Sequence, residues 1–165
     1  MKKVYLPLDK NIIRTLKPGE KVLLNGAILT ARDAAHKRLV EALESNRKSP
    51  LSIKGETIYY TGPTPAKKGQ VIGSCGPTTS SRMDPFTPTL LKHGLLGMIG
   101  KGERAKNVTS AIRRFGAVYF ITIGGAGAYL KELVTSSSVV AYKDLGTEAV
   151  RRLTIKDFPA IVAIR

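Results

Sequence analysis

The chain has 165 residues, of which 42% are hydrophobic and 24% charged, and this length suits a single domain over residues 1–165 with its own core. No apolar run approaches the roughly 20 residues of a membrane helix, and the basic start reaches Asp9 before any signal-like apolar core, so a cytoplasmic protein is expected. The formal net charge of +15 at pH 7 admits an acidic partner, an anionic small molecule or nucleic acid, and the one cysteine, Cys75, excludes an internal disulfide.

Strands and helices are predicted in turn along the first part of the chain. They are a strand over Lys3–Leu8, a short helix from its cap at Asp9 to Leu16, a strand over Lys21–Leu29 and a helix that ends at Glu44. The second helix begins with a Ser/Thr-x-x-acid pattern from Thr30 to Asp33, in which Thr30 would be the cap. Arg32 lies at this helix start, where the helix dipole disfavours a cation by up to about 1 kcal/mol. Its side chain is therefore expected either to turn to solvent or Asp33, or to bind an anion.

Strands and helices also alternate along the rest of the chain. Predicted strands cover Glu56–Thr61, Val71–Cys75, Leu95–Ile99, Ala117–Ile123, Val139–Tyr142 and Ile161–Ile164. Predicted helical segments are Thr87–Gly94, Glu103–Phe115, a helix start after the glycine turn Gly124–Gly127, and a turn over Thr147–Arg152. This order favours an α/β domain or a layered β/β/α domain, with ligand-contacting residues in loops at the strand ends.

One loop, Gly73–Pro88, combines glycines and prolines with many hydroxyls and contains an arginine where an apolar residue would pack more easily. If the chain becomes helical at Thr78 or just after it, Thr78 and Arg82 are four residues apart and share one face, beside a helix N-terminus that attracts anions. The loop is therefore predicted to bind a ligand. The hydroxyls of Thr79, Ser80 and Ser81 are expected to cap the helix start and to pack against the rest of the chain.

Lys101 is a further candidate, because it stands between Gly100 and Gly102 at the end of a predicted strand. Glycine lets a backbone approach a ligand closely and lysine supplies a mobile cation, although an ordinary tight turn has the same pattern. Together Arg32, Arg82 and Lys101, with the hydroxyl of Thr78, would form a compact site for a small polyanion. Because arginine binds carboxylates bidentately, two arginines favour a dicarboxylate.

Several kinds of chemistry lack support in the sequence. There is no Ser–His–acid set, no carboxylate pair at useful spacing and no P-loop, so a self-sufficient hydrolase or kinase is poorly supported. His36 and His93 stand far apart without a zinc or iron motif around them, so no metal ligand is assigned to this chain. An iron–sulfur cluster would have to be held mostly by another chain.

Four motifs, in this order, resemble the C-terminal domain, or separate β subunit, of the iron–sulfur class I fumarate hydratases and L-tartrate dehydratases. They cover nearly the whole chain and are Thr30–His36, Gly76–Met83, Met98–Gly102 and Asp157–Ala160. The resemblance implies a swivelling β/β/α fold and a hydro-lyase that reversibly hydrates fumarate to (S)-malate. It also implies a cluster-bearing α subunit whose [4Fe-4S] cluster has an open iron that acts as a Lewis acid, in a hetero-oligomer of the α2β2 kind.

The resemblance further implies roles for the four candidate residues. Arg32, Arg82 and Lys101 would bind the carboxylates of the dicarboxylate substrate, and Thr78 would be the candidate base that removes the C3 proton of malate. A threonine hydroxyl is a weak base at neutral pH, so this role needs desolvation and nearby cations.

Two alternatives remain open at the level of sequence. L-tartrate dehydration uses the same reaction type, and the motifs do not separate it from fumarate hydration, although the short chain favours fumarate. A non-catalytic module that binds anions or nucleic acid is suggested by the charge of +15. Nucleic acid is disfavoured, however, because basic residues never run longer than two together and no aromatic residues are interleaved with them.

Overall fold

Seven strands form one sheet in the computed structural model, which describes residues 1–165. The strands are Lys2–Tyr5 (β1), Lys21–Thr30 (β2), Thr57–Tyr59 (β3), Gly97–Gly100 (β4), Val118–Ile121 (β5), Val134–Ala141 (β6) and Val150–Ile164 (β7). The α-helices are Lys10–Arg14 (α1), Asp33–Glu44 (α2), Thr87–Lys92 (α3), Lys106–Arg114 (α4) and Gly127–Leu130 (α5). Short 3-10 helices lie at Ser80–Met83, Lys131–Leu133 and Lys143–Glu148. The predicted α/β class is confirmed.

The sheet is parallel from β1 to β5 and antiparallel where β7 joins it. The strand order is β1-β2-β3-β4-β5-β7-β6, and β7 also pairs with β2, so β2, β3, β4, β5 and β7 close on themselves. Because β2, β3, β4 and β5 are parallel, their carboxyl ends meet at one edge of the sheet. Loops that follow these strands are thereby brought together.

Alternate residues of the strands pack into two different cores. On β3, Tyr59 belongs to one core and Ile58 to the other, and Ile99 and Met98 of β4 divide in the same way. This is the period of two expected for strands that are buried on both faces. The core that contains Ile58 and Met98 is covered by α2, α3 and α4, whereas in the other the Tyr59 ring packs edge-on against Phe158, with centroids 5.3 Å apart.

The helices follow the expected local rules. Asp9 caps α1, since its side chain accepts a hydrogen bond from the Ile12 N–H at 2.7 Å, as predicted. On α4, Val108 and Ile112 are four residues apart and both are buried, so one stripe of this basic helix faces the core. None of the helices is both long and apolar enough to cross a membrane.

Three predicted local features are wrong. Val71–Cys75 is not a strand, because its backbone bonds to loops instead, for example from the Thr64 N–H to the Ser74 carbonyl at 2.9 Å. The helical turn predicted over Thr147–Arg152 is the end of a 3-10 helix followed by the first residues of β7. Thr30 does not cap α2 but ends β2, where its hydroxyl accepts from the Arg151 N–H at 3.1 Å.

Strand β7 is much longer than the predicted strand Ile161–Ile164. The sequence pattern underestimates the length of β7 because the strand contains a β-bulge. Asp157 has a φ of 50°, and the pairing with β2 shifts register at this point. The bulge changes which alternate positions are buried, from Leu153 and Ile155 before it to Phe158, Ala160 and Val162 after it. The simple alternation that identifies a strand is therefore broken in the middle of β7.

Candidate functional site

The carboxyl ends of three parallel strands carry the predicted site residues. Arg32 lies two residues beyond β2, and Lys101 directly follows β4. Thr78 reaches the end of β3 through its backbone, because its N–H donates to the Tyr60 carbonyl at 2.7 Å. Ligands of α/β sheets bind at this kind of edge, in the crevices beyond the carboxyl ends of the strands.

The carboxylate of Asp33 lies close to the side chains of both Arg32 and Arg82, although Arg82 follows Asp33 by 49 positions in the sequence. The Nε and Nη2 atoms of Arg82 lie 3.2 and 3.1 Å from Oδ2 of Asp33. The Nε of Arg32 lies 3.8 Å from Oδ1 of the same carboxylate. The sequence had left open whether Arg32 turns to solvent, pairs with Asp33 or grips an anion, and the structure shows the approach to Asp33.

The start of α2 tolerates Arg32 because negative groups surround it. Arg32 is the N-cap residue and makes no capping hydrogen bond through its side chain. Asp33 occupies the first turn, and the Ala34 N–H donates to Oε1 of the distant Glu148 at 3.2 Å. Both carboxylates interact favourably with the positive end of the helix dipole and offset the effect of the arginine.

The hydroxyl-rich loop is attached to Lys101 by its backbone. Thr79 and Lys101 form a parallel β-bridge, and the Ser80 N–H donates to the Lys101 carbonyl at 2.9 Å. The buried Ser80 hydroxyl lies 2.7 Å from the Tyr119 hydroxyl, which itself donates to the Gly102 carbonyl at 2.7 Å. Gly100 makes this approach possible, because a Cβ there would lie only 2.0 Å from Ser80 Oγ.

The helix predicted to begin at Thr78 or just after it begins at Ser80 instead. The 3-10 helix covers Ser80–Met83, so Thr78 precedes it and does not share a helix face with Arg82. Thr79 is the N-cap residue but makes no side-chain capping bond, so its predicted capping role is wrong, whereas Ser80 packs as expected. The loop and the β-bridge, and not a helix face, define where Thr78 lies.

The Lys101 side chain extends along the backbone of Gly124, in the glycine turn after β5. A Cβ on Gly124 would lie 3.3 Å from Cδ and 3.9 Å from Nζ of Lys101. The eight ion pairs of the chain do not include Lys101, so its ammonium group is available to an anion. Thr78 is half-buried. It is connected to Lys101 through the next residue, Thr79, which forms the β-bridge with Lys101.

A buried arginine, Arg104, supports the hydroxyl-rich loop Gly73–Pro88. The sequence analysis did not identify this residue. Arg104 pairs with Asp84 at 2.7 Å and donates to the Thr87 hydroxyl at 2.9 Å. Its guanidinium also lies over the rings of Tyr119 and Tyr60, at 4.8 and 5.3 Å from their centroids. The predicted helix Glu103–Phe115 would have placed Arg104 on a basic surface, and no local pattern distinguishes it from its exposed neighbours.

His36 fixes the backbone of Arg32. Its Nδ1 lies 2.8 Å from the Arg32 carbonyl, so this nitrogen carries the proton and donates it. Burial lowers the pKa of His36 to about 4, the carbonyl of Arg32 opposes this effect, and the nearby Arg104 adds to it. The ring is therefore neutral at pH 7, and it packs edge-on against Tyr60 with centroids 5.4 Å apart.

The residues of this chain do not fit an iron–sulfur cluster. Such clusters are held by cysteine thiolates, and burial raises the pKa of the Cys75 thiol to about 11, which disfavours the thiolate. No three His, Cys, Asp or Glu side chains lie close enough together to hold a metal ion between them.

The four candidate residues differ in exposure and line neither of two clefts on the surface of the chain. The Arg82 side chain is 52% exposed. A cleft of about 440 Å³ beside Met1 and Ile161 and another of about 340 Å³ beside Arg38 and Tyr142 contain none of the four candidate residues. These two clefts therefore do not define the candidate site, which rests on the chemistry and geometry of the strand ends.

The chain that carries these strand-end cations and this hydroxyl-rich loop is related to a known protein family. The chain belongs to the family described as Fumarase C-terminus, whose model matches residues 1–165. The resemblance inferred from the four motifs is confirmed.

Individual relatives include both fumarate hydratases and a tartrate dehydratase subunit. The chain is 39% identical over 166 residues to mitochondrial fumarate hydratase 1 of Leishmania major, covering 99% of this chain and 29% of that protein. It is 36% identical over 166 residues to the anaerobic class I fumarate hydratase of Escherichia coli, with the same coverage of 99% and 29%. It is 37% identical over 170 residues to the putative L(+)-tartrate dehydratase subunit beta of Methanocaldococcus jannaschii, covering 99% of this chain and 87% of that one. The chain thus spans about three tenths of the length of the fumarate hydratases that it matches.

Proposed function

We propose that this chain is the β part of a hydro-lyase that reversibly adds water to fumarate to give (S)-malate. The observation that carries the proposal is the convergence of Arg32 and Arg82 on one carboxylate, Asp33, at the edge where Lys101 also emerges. Two guanidinium groups and an ammonium group match the two carboxylates of such a substrate. In this proposal residues 1–165 act as one domain, of the swivelling β/β/α type.

The substrate-binding role falls to the three cations. Arg32 and Arg82 would each bind a carboxylate through hydrogen bonds, and Lys101 would add a point charge from the loop after β4. The half-exposed Arg82 side chain is accessible to a substrate without rearrangement of the loop. Binding both ends of a diacid also orients the carbons between them for proton transfer.

Thr78 is the proposed base for the C3 proton of malate. Its backbone is fixed from both sides, by the hydrogen bond to Tyr60 and by the β-bridge of the next residue to Lys101. A hydroxyl accepts a proton at neutral pH only if neighbouring cations favour its deprotonated form and water is excluded. In this proposal Lys101 would supply such a cation, and a partner chain that covers the surface around Thr78 would exclude the water.

That partner chain is proposed to carry a [4Fe-4S] cluster, because the residues of this chain do not fit one. The β-subunit name of the relative from M. jannaschii supports an assembly of two kinds of chain, such as an α2β2 hetero-oligomer. The cluster would supply Lewis-acid chemistry, and this chain would supply the carboxylate contacts and the base.

The proposal is tested by anaerobic co-purification of the chain with a candidate cluster-bearing chain, followed by assays with fumarate, malate and L-tartrate. We expect the complex to interconvert fumarate and malate and the purified single chain to be inactive. The matched control is a complex that carries Arg82→Ala, which should assemble but bind the diacid poorly. Activity of the single chain without iron would contradict the proposal.

L-tartrate dehydration is the second candidate. It is favoured by the relative from M. jannaschii, whose length the chain covers to 87%. The same cations would bind this more hydroxylated diacid. A complex that dehydrates L-tartrate faster than malate would select this substrate.

A non-catalytic role in binding nucleic acid is the remaining alternative, suggested by the charge of +15. Such binding weakens steeply with salt because it releases counterions from the phosphates. Strongly salt-dependent binding to random duplex DNA that survives Arg82→Ala would favour this alternative over a dicarboxylate site.

A further inference from the structure

Asp33 is the one acidic group placed between the two arginines of the candidate site, and neither the motifs nor the chemistry of a hydro-lyase assigns it a role. We propose that Asp33 is a positioning residue, which holds Arg82 and Arg32 in the orientation in which they bind the carboxylates of the substrate. This inference rests on the function proposed above and adds a residue to the site.

The contact with Arg82 occupies only one edge of the guanidinium group. Nε and Nη2 of Arg82 both point to Oδ2 of Asp33, at 3.2 and 3.1 Å. The remaining nitrogen, Nη1, makes no hydrogen bond within the chain and belongs to a side chain that is 52% exposed. Because guanidinium donors form a rigid planar fork, fixing one edge also fixes the direction of the other. Asp33 thereby points the free edge of Arg82 outward.

The contact with Arg32 is incomplete, and its incompleteness points to a ligand. Arg32 Nε and Asp33 Oδ1 are both buried, and neither has a hydrogen-bond partner. They lie 3.8 Å apart, so a movement of less than about 1 Å would bring them within hydrogen-bond distance. A carboxylate bound by Arg32 would restrain this side chain and close the gap, so that both arginines share one anchor.

Anchoring of this kind lowers the entropic cost of binding. Arginine has several rotatable bonds, and a free side chain must be ordered when the ligand binds. The Asp33 carboxylate orders Arg82 before the ligand arrives, and its backbone is in turn fixed in the first turn of α2. Asn at this position would keep the shape but lose the charge that strengthens both contacts.

The first test is kinetic and uses the complex of the full chain with its cluster-bearing partner. Asp33→Asn is expected to raise KM for malate about tenfold, the factor that corresponds to loss of one charge-assisted contact, with kcat changed less than about threefold. In an Arg82→Ala background the same substitution should raise KM less than it does in the wild type, because only the contact with Arg32 remains to be lost. Asp33→Glu retains the charge and should recover part of the loss, which also guards against a simple folding defect.

The matched control is Asp144→Asn. Asp144 also pairs with an arginine, Arg38, through the Nη1 and Nη2 atoms of that arginine at 2.9 and 2.7 Å, but this pair lies outside the site. This variant is expected to leave KM unchanged. An unchanged KM in Asp33→Asn, or an effect that adds in full to that of Arg82→Ala, would overturn the inference.

The second test separates the inference from the proposed function, because it needs no activity. Hydrogen exchange of the Arg82 Nε–H, followed by ¹⁵N NMR of the full chain, should become faster in Asp33→Asn and stay unchanged in Asp144→Asn. The Arg38 Nε–H provides the reference in Asp33→Asn, because the partner of Arg38, Asp144, is unchanged in that variant. If the wild-type complex converts none of the three diacids, the proposed function fails while this measurement still decides the role of Asp33. An Arg82 Nε–H that exchanges equally fast with and without the Asp33 carboxylate would refute the positioning role.

Discussion

Thr79 and Lys101 form an isolated parallel β-bridge that joins the hydroxyl-rich loop to the loop after β4. The hydrogen bond from the Ser80 N–H to the Lys101 carbonyl, at 2.9 Å, extends the same connection. Thr78 and Lys101 are therefore held in a fixed relationship by backbone alone. Side-chain substitutions at either position should change chemistry or binding without moving the loop.

Thr78→Ala is expected to lower kcat of the assembled enzyme by about 10²–10⁴-fold, the usual contribution of general acid–base catalysis. KM should change little, because the proposed carboxylate contacts are made by other residues. Steady-state assays with malate measure both constants. Thr79→Ala is the control, since Thr79 is exposed and is held through its backbone. Near-normal turnover of Thr78→Ala would remove this residue from the mechanism.

Arg82→Lys keeps the positive charge but removes the planar fork, so we expect a rise in KM of about tenfold with a smaller change in kcat. Arg38→Lys makes the same substitution in an arginine that pairs with Asp144, away from the strand ends, and should leave both constants unchanged. Kinetics with fumarate and with malate provide the comparison. A kinetic profile identical to that of the wild type would argue against a bidentate contact at Arg82.

Gly100→Ala is expected to lower the free energy of unfolding by about 1–3 kcal/mol, the usual cost of overpacking. The added Cβ would lie 2.0 Å from Ser80 Oγ and 2.8 Å from the Tyr60 ring, so the hydroxyl-rich loop must shift. Gly76→Ala is the control, because its Cβ would make only ordinary contacts at 3.5 Å. Denaturant unfolding measures the difference. Equal stability of the two variants would show that the loop has room to move.

Stability should fall as the pH drops from about 6.5 towards 4 because of His36. Burial lowers the pKa of this residue to about 4 from an ordinary 6.5, so between these values the unfolded chain binds the proton and the folded chain does not. The free energy of unfolding should decrease by up to about 3 kcal/mol over this range.

The His36 contribution is isolated by substitution. His36→Asn removes the titrating ring and should flatten the pH dependence of denaturant unfolding between pH 6.5 and 4. His93 makes the same kind of contact with the carbonyl four residues earlier, Thr89, at 2.9 Å, but it is exposed. His93→Asn should therefore leave the dependence as it is. A slope that persists in His36→Asn would assign the pH dependence to other groups.

Local patterns were sufficient for most of the elements. The cap at Asp9, the helix that ends at Glu44 and the buried strand near Phe120 each depend on neighbours in sequence, and the structure contains all three. Features that depend on partners far away were not predictable. The bulge at Asp157 hid most of β7, and the true partner of the Thr30 hydroxyl lies on another strand.

The sequence by itself determined the chemistry of the candidate site: which cations and hydroxyls are present, and that they follow strands in loops rich in glycine. Residue type and short-range order decide these properties, as they decided the family. Only the tertiary structure decided which charges meet. Asp33 lies beside Arg32 in sequence, yet its contact with Arg82 spans 49 positions, and Arg104 is buried only because Asp84 and two aromatic rings surround it. Such contacts depend on how the parallel strands are ordered, and a local pattern does not contain that order.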